Sequence, residues 1–457
     1  MVMKFVKLVL RGMMPALLIL GVGPAGAWSN HALGTWPALS VMAEVKSAAP
    51  LNVERLESFL AAEQVALEKI LQQEEAWARA HVPVYPVRPD ALMFRASKDP
   101  AELRQRFIDA VRINPQLQLK LFRQVPPGEP PNGKPGLPWT EVTTLRGDTS
   151  ARQITFEQLA EGDTVSMLDV LATASDEPDY GMDLGLWENN DTAYGKTYGF
   201  GKQPFGNPAL EFASQAPLHM GFYHEAEIIY LAAGFLKRTY PEYRIHLWQT
   251  LALHALRSGH PYWGWRFAGW ALHYIQDLTQ PYHARVLPGV GVPRMLWINS
   301  VDMIGYHVAK NHAITLVSNR HLALENYQYH RMKAAYARHD LDDALVLACR
   351  DMTRDHAYAP YDDAAPRQVI AREANAAADA ADMTLENSLP AKYIADAEYD
   401  FGKSEKGVDL FDLSRQSPQT AQQGMTGLAS ALLRNYGVHT RSLVRALLSR
   451  SDAGARR

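Results

Sequence analysis

Hydrophobic residues recur at helical spacing along most of the chain. Between residues 51 and 80, apolar positions fall near a 3.6-residue period, which predicts one long amphipathic helix. Weak strand character is confined to residues 140–158. The pattern therefore favours an all-α fold. Further helices are predicted over residues 100–113, 226–240, 243–258, 263–278, 297–318, 322–337, 340–357, 366–383 and 420–448.

Three segments interrupt the long helices. Residues 124–138 contain repeated proline and glycine, which predicts a surface loop. Residues 167–174 form a short helix or strand that leads to Asp176. Residues 181–208 are rich in Gly, Asn, Tyr and Phe, and they are compatible with either a structured functional loop or a plain surface excursion.

The first residues are typical of an export signal. A basic start is followed by a short apolar run, and the small residues Ala25 and Ala27 form a cleavage site before Trp28. We expect residues 1–27 to be removed, which makes the product secreted or periplasmic; an uncleaved membrane anchor is the alternative. Cleavage would give Trp28 a free amine, which can bind a metal, and His31 follows three residues later.

The composition of the chain limits the classes of partner and of metal site that we expect. The net charge of −3, with no run of basic residues, gives no global field for nucleic acid, so we do not expect a nucleic-acid partner. Cys349 is the only cysteine, which excludes an internal disulfide and a cysteine-rich zinc site. No apolar run after the signal approaches the roughly 20 residues that span a bilayer. Residues 28–457 are therefore expected to form one soluble helical domain.

Histidine and acid pairs at helical spacing are the main chemical signal. His273 and Asp277 are four residues apart, so a helix would place both on one face. His283 lies just beyond the proline at which this helix should end, and His321 and Glu325 repeat the same spacing. Each pair alone is weak, because such pairs also arise by chance. Their combination predicts a metal centre.

The roles of several other residues are harder to assign from the sequence. His219, in a loop, and His224, at a helix start, could each complete the first pair, and each could equally be a buried structural histidine. Asp176 and Asp179 could serve the site or stabilise a turn around the proline between them. Structural or surface roles are expected of His246, His254, His260, His307, His312, the His339 and Asp343 pair, and the aromatic stripe Trp263, Trp265, Phe267 and Trp270.

These residues resemble the zinc-dependent phospholipase C family. Residues 272–284 are similar to the family's His-Tyr-x-x-Asp segment followed by Pro-x-His. His321, Glu325 and Tyr327 resemble its His-x-x-x-Glu-x-aromatic element, and Trp28 is similar to its N-terminal tryptophan. Single-strand-specific zinc nucleases are more distant members with the same scaffold.

The resemblance implies an all-α, zinc phospholipase C-like helical bundle that holds up to three zinc ions. It implies that Asp176 matches the family's loop aspartate, a proposed general base. The implied ligand sets are His273, Asp277 and His219 (or, second, His224) for one ion, His283, His321 and Glu325 for another, and Trp28, His31 and a bridging Asp277 for a third.

The chain also departs from the family pattern. Trp28 and His31 are closer together than in the relatives, and His283 and His321 are farther apart, so an extra helix must be looped out between them. Residues from about 45 to 150 resemble a long insertion, and those beyond about 330 a helical C-terminal extension.

The resemblance implies hydrolysis of the phosphodiester of glycerophospholipids, such as phosphatidylcholine or phosphatidylethanolamine, to diacylglycerol and a phosphorylated head group by metal-activated water. The alternatives are a single-strand nuclease on the same scaffold and a non-enzymatic exported protein with structural zinc. A phospholipid substrate implies transient contact with a membrane surface. Four aromatic residues are expected to be exposed and could either insert at the membrane interface or stack on a choline: Trp187, Tyr194, Tyr198 and Phe200.

Overall fold

The computed structural model describes residues 29–130, 132–145, 151–206, 212–404 and 407–455. Helix accounts for 63% of the residues and strand for 3%, which confirms the all-α prediction. The expected signal peptide and Trp28 lie outside the described residues. Among the helices described, none is both long and apolar enough to cross a membrane.

The helices are labelled α1 to α19 in chain order, and two small antiparallel sheets accompany them. The strands are β1 (Leu51–Asn52), β2 (Phe122–Val125), β3 (Thr155–Gln158) and β4 (Thr164–Val165), with β1 paired to β4 and β2 to β3. The helices are α1 (His31–Ser40), α2 (Ala43–Lys46), α3 (Leu56–His81), α4 (Pro100–Val111), α5 (Met167–Asp176), α6 (Ala193–Thr197), α7 (Ala216–His219), α8 (Glu227–Ala232), α9 (Pro241–Arg257), α10 (Pro261–Asp277), α11 (Pro281–Ala284), α12 (Val292–Met303), α13 (Val308–Ala337), α14 (Ala344–Arg350), α15 (Ala371–Ser388), α16 (Ala391–Ile394), α17 (Phe401–Ser404), α18 (Leu410–Ser414) and α19 (Gln419–Ala455).

Helix α10 is the centre of the fold. It begins at Pro261, whose fixed φ suits a first helical position, and every later residue of the helix is buried. A helix that is buried all round must be covered on every face, and α5, α9 and α19 pack around it. Its aromatic stripe belongs to the hydrophobic core, as predicted, with Trp263, Trp265, Phe267 and Trp270 all buried.

Helix α1 lies beside the last turn of α10. It packs against α5 and α19, and Asn30 caps it by accepting the Leu33 N–H. Tyr436 of α19 donates its hydroxyl to the His31 carbonyl at 2.6 Å. Gly34 permits this approach, because a Cβ there would overlap the Tyr436 ring. These contacts place His31 next to the end of the central helix.

Most of the expected insertion at 45–150 packs into the same core as α10, up to about residue 121, while Phe122, Leu137 and Val142 belong to a smaller separate cluster. Helix α3 contacts α4 and α9, and Leu67, Phe107 and Phe267 belong to one hydrophobic cluster. Arg112, at the end of α4, is buried and donates to the Tyr198 carbonyl, which ties this segment to residues 181–208. That the segment is an insertion relative to the phospholipase family stays a prediction.

Several element boundaries differ from the predictions. The helix predicted from residue 51 starts at Leu56, because β1 pairs with β4 just before it. Strand β2 overlaps the start of the predicted loop at 124–138, and it pairs with β3 in register Phe122 to Gln158. Both sheets are defined by partners distant in sequence, which local periodicity does not detect.

The predicted helix break near residue 320 is wrong. Helix α13 is continuous, and the break lies at residues 304–307, where Gly305 adopts a φ of +94° that favours glycine. The helix predicted at 340–357 is reduced to α14, and the one at 226–240 to α8 and a following 3₁₀ turn.

Residues 181–206, the described part of the glycine-rich segment, fold into the protein rather than projecting from it. Trp187, Tyr198 and Phe200 are no more than 1% exposed, and Tyr194 is half-buried. The Trp187 indole donates to the Ser214 carbonyl at 2.7 Å. The prediction that these aromatic rings are exposed and enter a membrane is therefore wrong, because they complete the hydrophobic core.

Gly269 allows α10 to touch α5, and this contact generates a stability prediction. A Cβ on Gly269 would overlap Ala174 and come within 3.0 Å of the Leu171 carbonyl oxygen. We expect Gly269→Ala to lower the free energy of unfolding by about 1–3 kcal/mol, because the helices would have to separate.

The matched control is Gly427→Ala in α19, where an added Cβ meets nothing within 4 Å. That substitution should be neutral or stabilising by up to about 1 kcal/mol. Urea unfolding of both variants checks the prediction, and equal stabilities would contradict it.

Candidate metal centre

Several elements deliver histidine and acid side chains to one buried region. The last turn of α10 carries two of them, and the others come from α1, α7, α11, α13 and the 3₁₀ turn Glu177–Tyr180 that follows α5. Within the part of the chain that the structure describes, these side chains form three groups of donors that could each hold a metal ion. The groups are His219, His273 and Asp277; His31, Asp179 and His273; and His283, His321 and Glu325.

The first group lies at the end of α10. His273 and Asp277 face the same side of the helix, as their spacing predicts, and His273 Nε2 is 3.4 Å from Asp277 Oδ2. His219, at the end of α7, brings its Nδ1 within 2.9 Å of the same carboxylate oxygen and 3.1 Å of His273 Nε2. Two ring nitrogens and one carboxylate oxygen therefore converge on one point.

The second group shares His273 with the first and lies against the same aspartate. His31 Nε2 is 3.5 Å from Asp277 Oδ1, the oxygen that does not face His219. Asp179 belongs to the second group, with Oδ2 3.7 Å from His31 Nε2 and Oδ1 3.7 Å from His273 Nε2. Asp277 thus presents one oxygen to His219 and the other to His31, and its bridging of two ions stays a prediction.

The third group joins α11 to α13. His283 Nε2 is 3.1 Å from His321 Nε2, and Glu325 Oε1 is 2.6 Å from the same His321 nitrogen. Gln280 donates to Glu325 at 3.3 Å and holds its carboxylate in place. The His283 Nδ1 donates to the His219 carbonyl at 3.0 Å, so this group is attached directly to the first.

Hydrogen bonds on the far side of the rings set which nitrogen faces the centre. His273 Nδ1 donates to the Ser175 carbonyl at 2.8 Å, and His31 Nδ1 donates to the Gln276 side-chain oxygen at 2.8 Å. With Nδ1 protonated in a neutral ring, the inward Nε2 carries a lone pair. His283 is held in the same tautomer by its bond to the His219 carbonyl. The inward Nε2 atoms of these three rings are therefore acceptors that could each bind a cation.

A charged pair lies behind His219. The His219 Nε2 is 3.2 Å from Asp183, and Asp183 is in turn paired with Arg244 at 2.6 Å and accepts the Tyr274 hydroxyl. All of these side chains are buried. A carboxylate behind a histidine orients the ring and raises its basicity as a ligand. Sequence reasoning missed Asp183 and Arg244, because their pairing depends on tertiary contacts.

The unpartnered atoms fit a cation. His31 Nε2, Asp179 Oδ1 and Glu325 Oε2 are buried without a hydrogen-bond partner among the described residues, and neither oxygen of Asp277 has one of normal geometry. Burying such atoms without a partner is unfavourable. Ligand atoms about 2.0–2.1 Å from a tetrahedral zinc ion are about 3.3 Å from one another. The separations here lie around that value, and imidazole and carboxylate donors suit zinc.

Electrostatics agree with this interpretation. Burial lowers the pKa of His31 to about 3 and holds the pKa values of His273 and His283 well below their usual range, so these rings are neutral, as metal ligands must be. Burial also opposes charge on His219, but Asp277 and Asp183 beside it raise its pKa to about 10. The carboxylates therefore attract a positive charge to this position, which a proton or a metal ion can supply.

The structure separates the two candidate loop aspartates. Asp176 accepts the His31 N–H at 2.7 Å with one oxygen and the Tyr180 hydroxyl at 2.7 Å with the other, so its carboxylate supports α1. Asp179 instead faces the imidazoles. Asp179 is therefore the aspartate of this region that lies among the candidate metal ligands, and the role of Asp176 as a general base stays a prediction.

The other histidines lie outside the three groups. His224, the second choice for the loop ligand, is half-buried, and its Nε2 is 2.7 Å from the Arg367 carbonyl, so it does not join the centre. His339 is exposed at the end of α13, and Asp343 caps α14 instead of pairing with it. The five histidines expected to have structural or surface roles pair with acids away from the centre: His246 with Glu74, His254 with Glu63, His260 with Glu54, His307 with Asp302 and His312 with Glu398.

The different surroundings of His219 and His224 predict different effects on metal content. We expect His219→Ala to reduce bound zinc by about one equivalent per chain, because the first group loses a donor. His224→Ala is the matched control and should retain the zinc content of the wild type. Elemental analysis after dialysis checks both, and equal zinc in the two variants would contradict the placement of His219.

Asp176 and Asp179 form a second matched pair. Asp179→Asn should weaken zinc binding about tenfold or more, because an amide is a poorer ligand than a carboxylate and lacks its charge. Asp176→Asn keeps an oxygen for the His31 N–H and should change zinc affinity less. Competition with a chromophoric chelator measures both affinities, and a larger loss for Asp176→Asn would reverse the assignment.

Comparisons of the chain with protein-family models, with curated proteins and with solved structures find no match. The likeness of the short motifs to the zinc-dependent phospholipase C family therefore stays a prediction from sequence. The donor geometry is the observation on which a functional interpretation rests.

Proposed function

We propose that the protein is a zinc-dependent phosphodiesterase of the phospholipase C type. It hydrolyses the phosphodiester of glycerophospholipids and releases diacylglycerol and a phosphorylated head group. The observation that carries this proposal is the position of Asp277, whose two oxygens reach adjacent donor groups. Adjacent cations that share a carboxylate are suited to phosphoryl transfer.

The chain's residues divide into three ligand sets under this proposal. His219, His273 and Asp277 would hold one ion, with Asp179 beside them, and His283, His321 and Glu325 a second. His31 and the other oxygen of Asp277 would hold a third, together with the Trp28 amine that the resemblance implies. Bound zinc would polarise the phosphoryl oxygens, stabilise the negative charge of the transition state and lower the pKa of a coordinated water.

The donor count favours a catalytic over a structural centre. Structural zinc sites are usually closed by four protein ligands. Among the described residues, the group on α11 and α13 offers only His283, His321 and Glu325. A site with three protein donors leaves a position for water or substrate. This supports an enzyme rather than a non-enzymatic protein that uses zinc for stability.

Burial shields the candidate ligands from solvent, and hydrogen bonds fix their orientation. The ligands His31, His273, Asp277 and His283 are at most 1% exposed. Their orientation is set by backbone and amide acceptors, so little reorganisation is needed when charge develops on a substrate phosphate. The near-neutral net charge of −3 suits a phospholipid better than a long polyanion such as a nucleic acid.

Side-by-side assays test the proposal. The zinc-loaded protein should release diacylglycerol from phosphatidylcholine or phosphatidylethanolamine vesicles, lose this activity with a chelator and regain it with zinc. Asp277→Asn should lower kcat/KM by about a hundredfold or more, because both neighbouring ligand sets lose a charged donor. His224→Ala, remote from the donor groups, should retain activity.

Two outcomes would overturn the proposal in different ways. Hydrolysis of single-stranded DNA without hydrolysis of phospholipid would identify the nuclease alternative. Stoichiometric zinc with no turnover of either substrate, or of bis-p-nitrophenyl phosphate, would identify a structural metal centre.

A further inference from the structure

Exposed apolar side chains are concentrated on one hairpin, formed by α12, residues 304–307 and the first turns of α13. The described part of the chain has fourteen large apolar side chains that are substantially exposed, and five of them lie within residues 297–308. This density on a short stretch marks an interaction surface rather than scattered surface residues. The five are Trp297, Met303, Ile304, Tyr306 and Val308.

Helix α12 buries one face and exposes a large aromatic ring on the other. Met295 and Ile298 are buried on the inner face, where they pack with Val286, Leu287 and Ile314. On the outer side Trp297 is 49% exposed beside polar residues, and Ile304 just beyond the helix is 72% exposed. Large apolar side chains exposed this close together indicate a contact surface.

The hairpin holds its exposed residues in a defined shape. Asp302 is buried at its base, accepts from Lys310 at 2.9 Å and lies 2.6 Å from His307, which joins α12 to α13. The Tyr306 N–H donates to the Val301 carbonyl and closes the turn. These contacts therefore hold the exposed apolar side chains of the hairpin in a fixed arrangement.

The hairpin itself carries one uncompensated positive charge. Between residues 287 and 311 the only acid is Asp302, which is already neutralised, while Arg294 has no carboxylate partner among the described residues and lies 5.1 Å from the Trp297 ring. The neighbouring acids outside the hairpin face basic side chains: Asp379 faces Arg285, Asp382 and Glu386 share Arg320, and Glu398 lies 2.9 Å from His312. The hairpin is therefore apolar with a free guanidinium at its surface, which complements anionic lipid.

The hairpin is also close to the metal centre along the chain. It connects His283 to His321, the two histidines of the third donor group. A groove of about 1370 Å³ runs between α12, α13 and α15, with Leu287 and Arg320 among its lining residues. Leu287 is four positions after His283, and Arg320 immediately precedes His321. Any surface bound by the hairpin would therefore lie beside this groove.

We propose that this hairpin is a membrane-docking surface that binds an anionic phospholipid bilayer. Trp297, Ile304 and Tyr306 enter the boundary between head groups and acyl chains, where aromatic rings with a polar edge are favoured, and Arg294 lies at the phosphates. The inference rests on the proposed function, since the bilayer is then the source of the substrate. It replaces residues 181–208 as the membrane contact.

Vesicle flotation of the full chain tests this inference. The wild type should bind phosphatidylcholine vesicles with about 30 mol% phosphatidylglycerol more tightly than pure phosphatidylcholine. Trp297→Ser combined with Ile304→Ser should weaken binding about tenfold or more. Arg294→Glu should weaken binding to the anionic vesicles only. The matched control is Val65→Ser with Leu341→Ser, which removes equally exposed apolar groups elsewhere and should bind like the wild type.

Hydrolysis of bis-p-nitrophenyl phosphate separates this inference from the proposed function. The Trp297 and Ile304 double variant should keep wild-type turnover of that soluble substrate while losing activity on vesicles. Wild-type vesicle binding by the double variant, or no binding by the wild type, would overturn the docking surface. Conversion of a dimer to a monomer by the double variant, without a change in vesicle binding, would overturn it in favour of a second copy of the chain.

Discussion

The structure depends on a convergence of buried acceptors at the end of α10. The lone pairs of the neutral His31 and His273 rings and the oxygens of Asp277 and Asp179 face one another at 3–4 Å. Such an arrangement is repulsive by itself, and a cation converts the repulsion into attraction. The surrounding fold buries this site. Helix α10 is covered on every side, so the side chains of its last turn are shielded from solvent. The hydrogen bonds made by the outward-facing Nδ1 atoms keep the imidazole rings in place.

Parts of the centre follow from local sequence. His273 and Asp277, and likewise His321 and Glu325, are brought together by the period of a single helix, which holds wherever that helix packs. The apolar pattern of α10 likewise identifies a core element, since aromatic residues recur on all its faces. The all-α class follows from the same repeated periodicity.

Other parts depend on tertiary contacts that local pattern does not encode. Asp176 and Asp179 are three residues apart, and the 3₁₀ turn between them decides which one faces the rings. Asp183 acquires its role only through Arg244, which is 61 residues away in sequence. The glycine-rich segment 181–208 has the composition of an exposed loop, yet Trp187 and Phe200 are needed to fill the core beside Tyr240. The exposed tip near Ile304 lay within a stretch that the periodicity assigned to continuous helix.

His219 contributes to two donor groups through different atoms. Its ring faces Asp277, while its main-chain oxygen fixes the tautomer of His283. A shift of this one residue therefore disturbs both positions together. By thermodynamic reciprocity, an ion bound at either position would change the affinity of the other position for its own ion by the same factor.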